Sequence, residues 1–248
     1  MYPLFICSFV SSSILMACLL IPKEAYYFSG PILGLASFIV LFVLMSRKMN
    51  AKLRPLFEQA QRQVQAGNMT QAIATFEKAL AYKRWQLFLE QQVNTQIGTL
   101  HYAAGNDQKA IEFLHKGYAK SAEGPLVLGT LLYRQGKLDE AREVLQFAIR
   151  VNKKSRLLYN VLAWILNKEG LRDEAVAVLQ SSLKPLKDDE DTKYNLERLQ
   201  NKKKMNMKPF GQYWYMLKFE RPAGQGQQGH FRKGFRQPPK RKKARKRK

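Results

Sequence analysis

Four glycines punctuate the chain at near-regular intervals, Gly67, Gly105, Gly136 and Gly170, and five residues after each stands an alanine: Ala72, Ala110, Ala141 and Ala175. Spacings of 38, 31 and 34 residues predict stacked helical hairpins, because a turn glycine followed by a small residue at a period near 34 marks one hairpin per repeat. Glycine ends a helix at low cost by taking a left-handed backbone conformation. Asp107, Asp139 and Asp173 fall near the start of each following helix, where a carboxylate complements the dipole. Leu, Ile and Phe at three- to four-residue spacing supply the seam. No single hairpin buries that seam alone, so neighbours must stack. Such a stack is a binding surface first. The three histidines, His101, His115 and His230, lie at unrelated places, and neither a Cys/His ligand set, a Gly-rich phosphate loop nor a nucleophile motif is present. The expectation is a protein without catalysis and without a cofactor or metal.

The first 48 residues read differently. Residues 3–21 carry no charge, and a second apolar run covers about 27–46, each close to the roughly 20 residues that a helix needs to cross a bilayer core. Tyr26, Tyr27 and Phe28 suit an interfacial position, and a short connector, Pro22-Lys23-Glu24-Ala25, separates the runs. No basic side chain precedes the first run, while Arg47, Lys48, Lys52 and Arg54 follow the second, so both ends are expected on the cytoplasmic side. Gly30, Gly34 and the serines Ser11, Ser12 and Ser13 are read as packing positions for close helix approach. Two rivals stand beside the hairpin: a cleaved signal peptide, which lacks a positive leading segment, and a lipoprotein-like box at Leu15-Met16-Ala17-Cys18, in which Met16 fits poorly. Cys7 and Cys18, the only cysteines, are read as small apolar packing residues, with an interchain disulfide as the alternative.

The hairpins resemble tetratricopeptide repeats. The third unit reads Leu128-Gly129, Leu132, Gly136-Lys137-Leu138-Asp139-Glu140-Ala141, Leu145, Ala148; the fourth reads Tyr159, Leu162-Ala163, Leu166, Gly170, Ala175, Leu179, Ser182. The second runs Ile97-Gly98, His101, Gly105, Ala110, Leu114, Gly117, and the first Leu56, Ala60, Gly67, Ala72, Phe76, Ala79. The resemblance covers 53–187, in units of about 53–86, 91–121, 122–155 and 156–187. It departs from the family pattern in lacking the closing proline, in Gln59 and Gln63 of the first unit, and in the 38- and 31-residue spacings. The family usually ends in a solvating helix, expected here over 188–203, with the acids Asp188, Asp189, Glu190 and Asp191 at its start.

In that family the first helix of each hairpin lines a concave groove that holds a protein or peptide. Carried over by position, the expected groove residues are Gln61, Thr95, Thr99, Tyr102, Thr130, Tyr133, Asn160 and Trp164, beside Phe57, Gln65, Arg134, Asn167 and Lys168. The groove is mostly neutral with three aromatics, which suits a peptide with apolar anchors; the alternative is that Tyr102, Tyr133 and Trp164 only pack against neighbouring helices.

Charge is concentrated at the other end. The chain carries +23 overall, and positions 201–248 hold 17 basic residues against the single acid Glu220. An aromatic stretch at 210–219 and a Gly/Gln-rich linker at 223–229 lead to the run Lys240, Arg241, Lys242, Lys243, Arg245, Lys246, Arg247 and Lys248. Like-charge repulsion predicts disorder over this end of the 204–248 tail. Three roles stay open: attraction to anionic membrane lipid, counterion-releasing contact with RNA, the ribosome or DNA, or no specific role. The whole reads as an all-α chain, a transmembrane helical hairpin followed by a tetratricopeptide-type α-solenoid and a disordered basic tail. The expected place is a bacterial inner membrane, multi-pass, with repeats and C-terminus cytoplasmic.

Overall fold

The computed structural model describes residues 2–19, 26–117, 120–187 and 189–220, and every regular element among them is helical. The described residues divide between two compact units, 1–206 and the segment from 207 onward. The connector 22–25, the linker 223–229 and the basic run 240–248 lie outside the described residues.

Two helices open the first unit, α1 (Tyr2–Leu19) and α2 (Tyr26–Gln65). They pack against each other. The Ser11 hydroxyl donates to the Gly34 carbonyl at 2.6 Å, Cys7 Sγ lies 3.9 Å from Met45 Sδ, and Cys7 is fully buried. The small residues Ser11 and Gly34 allow this approach. The outward faces stay bare: Phe5, Phe9, Ile32, Leu35 and Ile39 are all exposed. One helix among the described residues is long and apolar enough to cross a membrane, α2 from Pro31 onward; the apolar part of α1, Tyr2–Ile14, is shorter.

Nothing interrupts α2 where the apolar run ends. Arg47, Lys48, Met49 and Ala51 to Arg54 favour helix, and the 40 residues continue in one piece to Gln65, about 60 Å at the α-helical rise. Its last third is the first helix of the first repeat. Met49, Leu53 and Ala60 are buried in one cluster with Ala72, Phe76 and Ala79 of α3 (Met69–Ala79) and with Leu89, Val93 and Ile97 of α4 (Leu89–Ala103).

The remaining pairs are α4 (Leu89–Ala103) with α5 (Asp107–His115), α6 (Glu123–Arg134) with α7 (Leu138–Val151), and α8 (Arg156–Lys168) with α9 (Arg172–Leu183). Gly67, Gly105, Gly136 and Gly170 close the first helix of each pair with φ between +78° and +85°, the left-handed conformation that a side chain resists. Small residues let paired helices touch: a Cβ on Gly98 would meet Leu114 Cγ at 2.6 Å. Ala110, Ala141 and Ala175 on the second helices are fully buried. Every residue of α8 from Leu158 to Leu166 is buried, as expected of a helix covered on several sides.

Helix α10 (Glu190–Gln200) closes the first unit. Asp189 is its N-cap, and its carboxylate accepts from the Thr192 backbone N–H at 3.1 Å and from the Thr192 hydroxyl at 2.8 Å. A cap of this kind satisfies amide groups that a helix leaves open. Arg156 at the start of α8 donates to both Asp189 and Asp191, at 3.3 and 2.9 Å. The second unit contributes one turn at Lys208–Phe210 and the short α11 (Gly211–Met216). There the Trp214 indole N–H donates to Glu220 at 3.0 Å, and its ring lies 5.2 Å from that of Phe219.

Candidate functional site

The first helices of the pairs, the C-terminal part of α2 and then α4, α6 and α8, carry the residues expected to line the groove. Their surroundings differ sharply. Gln61 is exposed, and Thr99 and Tyr133 are half-buried. Thr95, Tyr102, Thr130, Asn160 and Trp164 are buried. Two of the threonine hydroxyls turn inward to their own helix: Thr95 donates to the Gln91 carbonyl and Thr130 to the Leu126 carbonyl, each at 2.9 Å. Backbonding of this kind settles a buried hydroxyl without a ligand. Thr99 does the same with Thr95, at 2.9 Å.

Asn160 has a different fate. Its amide N–H donates to the Thr192 hydroxyl at 2.9 Å, and its carbonyl oxygen accepts from the Asn195 amide at 2.9 Å. Asn195 in turn donates to the Asn206 carbonyl at 3.1 Å and accepts from the Asn206 backbone N–H at 2.7 Å. Helix α10 therefore occupies the ground that Asn160 would offer to a partner. Sequence reasoning placed Asn160 by family position; Thr192 and Asn195, polar residues at three-residue spacing on a terminal helix, were the signal that α10 had something polar to meet.

The aromatic residues form a belt across α4, α6 and α8. Arg134 pairs with Asp107 at 3.3 Å. Beside them the Tyr102 hydroxyl is pushed up to about 12, chiefly by burial, with Arg134 pulling the other way and Asp107 adding to the rise. The Tyr133 hydroxyl is also pushed up to about 12, by burial first and then by its hydrogen bond to Glu169. Tyr133 and Trp164 meet edge to face, 6.4 Å between ring centres and 81° between planes. Lys168 Nζ stands 5.1 Å from the Trp164 ring centre, within reach of a cation–π contact. Both tyrosines stay protonated at neutral pH and can donate or accept a hydrogen bond. Of the belt only the half-buried Tyr133 ring reaches the surface, with Arg134 and Lys168 exposed at its edge, which suits a chain with an apolar side chain and acceptor groups.

The basic residues Lys240 to Lys248 lie outside the described residues. Among the described residues no group of three His, Cys, Asp or Glu side chains is placed to hold a metal ion.

A family model for the tetratricopeptide repeat matches residues 126–190, from α6 to the start of α10. Among solved structures the chain is similar to one described as "Crystal structure of MamA", at 21% identity over 58% of this chain and 82% of that one, with a TM-score of 0.47. A second, "Crystal structure of MamA protein", is similar at 19% identity over 72% of this chain and 91% of that one, with a TM-score of 0.45. No curated protein matches in sequence.

Proposed function

We propose that the chain, whose residues 126–190 match the tetratricopeptide repeat family, works as a membrane-tethered scaffold, holding a protein or peptide partner in its helix-lined groove and catalysing nothing. The observation that carries this reading is α2. One unbroken helix takes the chain from a bare apolar face at Ile32 to Ile39 into the packed repeat core at Leu53 and Ala60. A tether built this way fixes the repeats close to the bilayer with no flexible spacer between. With α1 as a second span, the hairpin returns the N-terminus to the side of the repeats. Arg47 and Lys48 favour the cytoplasmic face of a bacterial inner membrane.

The partner-binding stretch is the accessible part of the groove: Gln61, Thr99 and Tyr133, with Arg134, Asn167 and Lys168 beside them, while Tyr102 and Trp164 are buried beneath it. Thr95, Thr130 and Asn160 support that surface from beneath. A second reading keeps the basic tail as the active part, binding RNA or the ribosome, and is favoured by the 17 basic residues among the last 48.

Photo-crosslinking from solubilised membranes separates the two. A crosslinker at Thr99 or Asn167 is expected to capture a discrete protein that a crosslinker at the exposed Phe147 of α7 does not, and nuclease treatment is expected to leave the adduct intact. Loss of the adduct on nuclease treatment favours the tail. Equal capture from Phe147 removes the groove from the account.

A further inference from the structure

We infer that the connection between α3 and α4, residues 80–88, is a phospholipid-headgroup contact that seats the repeats on the bilayer surface; the inference rests on the membrane reading of α1 and α2. This connection is where the first glycine spacing gains its length. Helix α3 ends at Ala79 and α4 begins at Leu89, whereas α7 and α8 are joined by residues 152–155 alone. The added residues include Lys83-Arg84-Trp85-Gln86-Leu87-Phe88.

Their place is fixed by the start of the chain. The Tyr2 backbone N–H donates to the Arg84 carbonyl at 2.9 Å, the Arg84 guanidinium donates to the Tyr2 hydroxyl at 3.0 Å, and the rings of Tyr2 and Trp85 lie 5.3 Å apart. Arg84 and Trp85 share a cleft of about 190 Å³ with Leu4, Phe42 and Ser46. Ser46 directly precedes Arg47, the first charged residue of α2. The connection thus lies at the level where the apolar helix surface gives way to charge, which is the depth of the headgroups when the helices are embedded.

Its chemistry fits that depth. Trp85 is 38% exposed and Phe88 51% exposed, so folding leaves part of both rings accessible. Phe88 holds φ at +60°, an unfavourable backbone for a bulky residue, and so spends strain on an exposed ring. Arg84, Arg47 and Lys48 are exposed; Lys83 is exposed too and pairs with Glu90 at 2.9 Å. Trp and Tyr concentrate at membrane interfaces, and basic residues there attract anionic lipid.

The test uses the full chain in lipid vesicles, with tryptophan emission and lipids brominated near the top of the acyl chain. Trp164 and Trp214 are buried in the protein, so Trp85 supplies the lipid-accessible signal. Bromolipid is expected to quench emission, Trp85→Phe to lose most of that quenching, and brominated phosphatidylglycerol to quench more than brominated phosphatidylcholine. Lys83→Glu with Arg84→Glu is expected to abolish the difference between the two lipids. Phe88→Ser, which leaves the Tyr2 contact alone, is expected to shift Trp85 toward quenching by aqueous acrylamide. A chain that floats with the vesicles while Trp85 answers only to acrylamide overturns the inference and spares the membrane reading. A chain that does not float, or is stripped from vesicles by alkaline carbonate, overturns both.

Discussion

Gly129 and Gly136 stand seven residues apart and are glycine for different reasons. A Cβ on Gly129 would lie 2.6 Å from Leu145 Cγ, so Gly129→Ala forces α6 and α7 apart; overpacking of this kind costs about 1–3 kcal/mol. A Cβ on Gly136 meets nothing within 4 Å, but the residue sits at φ +78°, and Gly136→Ala carries only the left-handed backbone penalty, about 1–2 kcal/mol. Chemical denaturation should show both losses. Gly129→Ala should also disturb the Leu145 methyl resonances in NMR spectra, and Gly136→Ala should leave them in place. His101 gives a pH-dependent term. Its ring is stacked on Phe113 at 5.5 Å, and its Nδ1 has no hydrogen-bond partner among the described residues. Burial pushes the imidazole below its ordinary value of 6.5; Lys109 pushes the same way and Glu77 opposes. Above pH 6.5 both folded and unfolded chains hold it neutral, and its contribution is intact. As pH falls through 6.5 the unfolded chain takes the proton first, so stability declines until the lower folded value is passed. Denaturant midpoints between pH 7.5 and 5 should fall less in His101→Phe than in the parent chain.

At the scale of elements, α10 is held by a polar network as well as by Leu196 and Leu199, both buried. Asn195→Ala removes the partner of Asn160 Oδ1 and strands the Asn206 backbone groups. A buried group left unpaired costs about 1–3 kcal/mol, and the loss belongs to one helix. Hydrogen exchange should accelerate across α10, while the amides of α4 and α5 keep their protection. Asn195→Asp should also destabilise, because it exchanges a donating amide for a charge. The helical class and the four turns were legible because only glycine takes positive φ freely and because the alanines recur in phase. What was not legible is tertiary. Thr95 and Thr130 hold family groove positions, yet nothing local in the sequence says that their hydroxyls fold back on Gln91 and Leu126. Asn160 looks like a contact residue until α10 arrives. Pro55 lies inside α2, which runs through it while Met49 and Leu53 reach the repeat core.

At the scale of the whole molecule, scaffold and tail make different demands on salt. Groove binding through aromatic belts and a few hydrogen bonds changes little with ionic strength. If a tail presenting eight basic residues in its last nine positions engages a polyanion, it does so by releasing counterions. With six to ten phosphates engaged, affinity falls by roughly 10³–10⁵-fold between about 50 and 200 mM salt. Removing residues 221–248 therefore separates the two parts of the chain. The truncated protein, reconstituted in vesicles, should keep a crosslinked partner at Thr99 and lose any salt-sensitive retention of RNA that the full chain has. The same truncation reports on the bilayer. If the tail lies on anionic lipid and α1 and α2 are embedded as proposed, its removal weakens association with phosphatidylglycerol-rich surfaces, by about 1 kcal/mol for each basic residue in contact, without releasing the chain. Partner capture that disappears with the tail, at a salt concentration where the full chain retains it, would make the repeats a spacer and the tail the binding element.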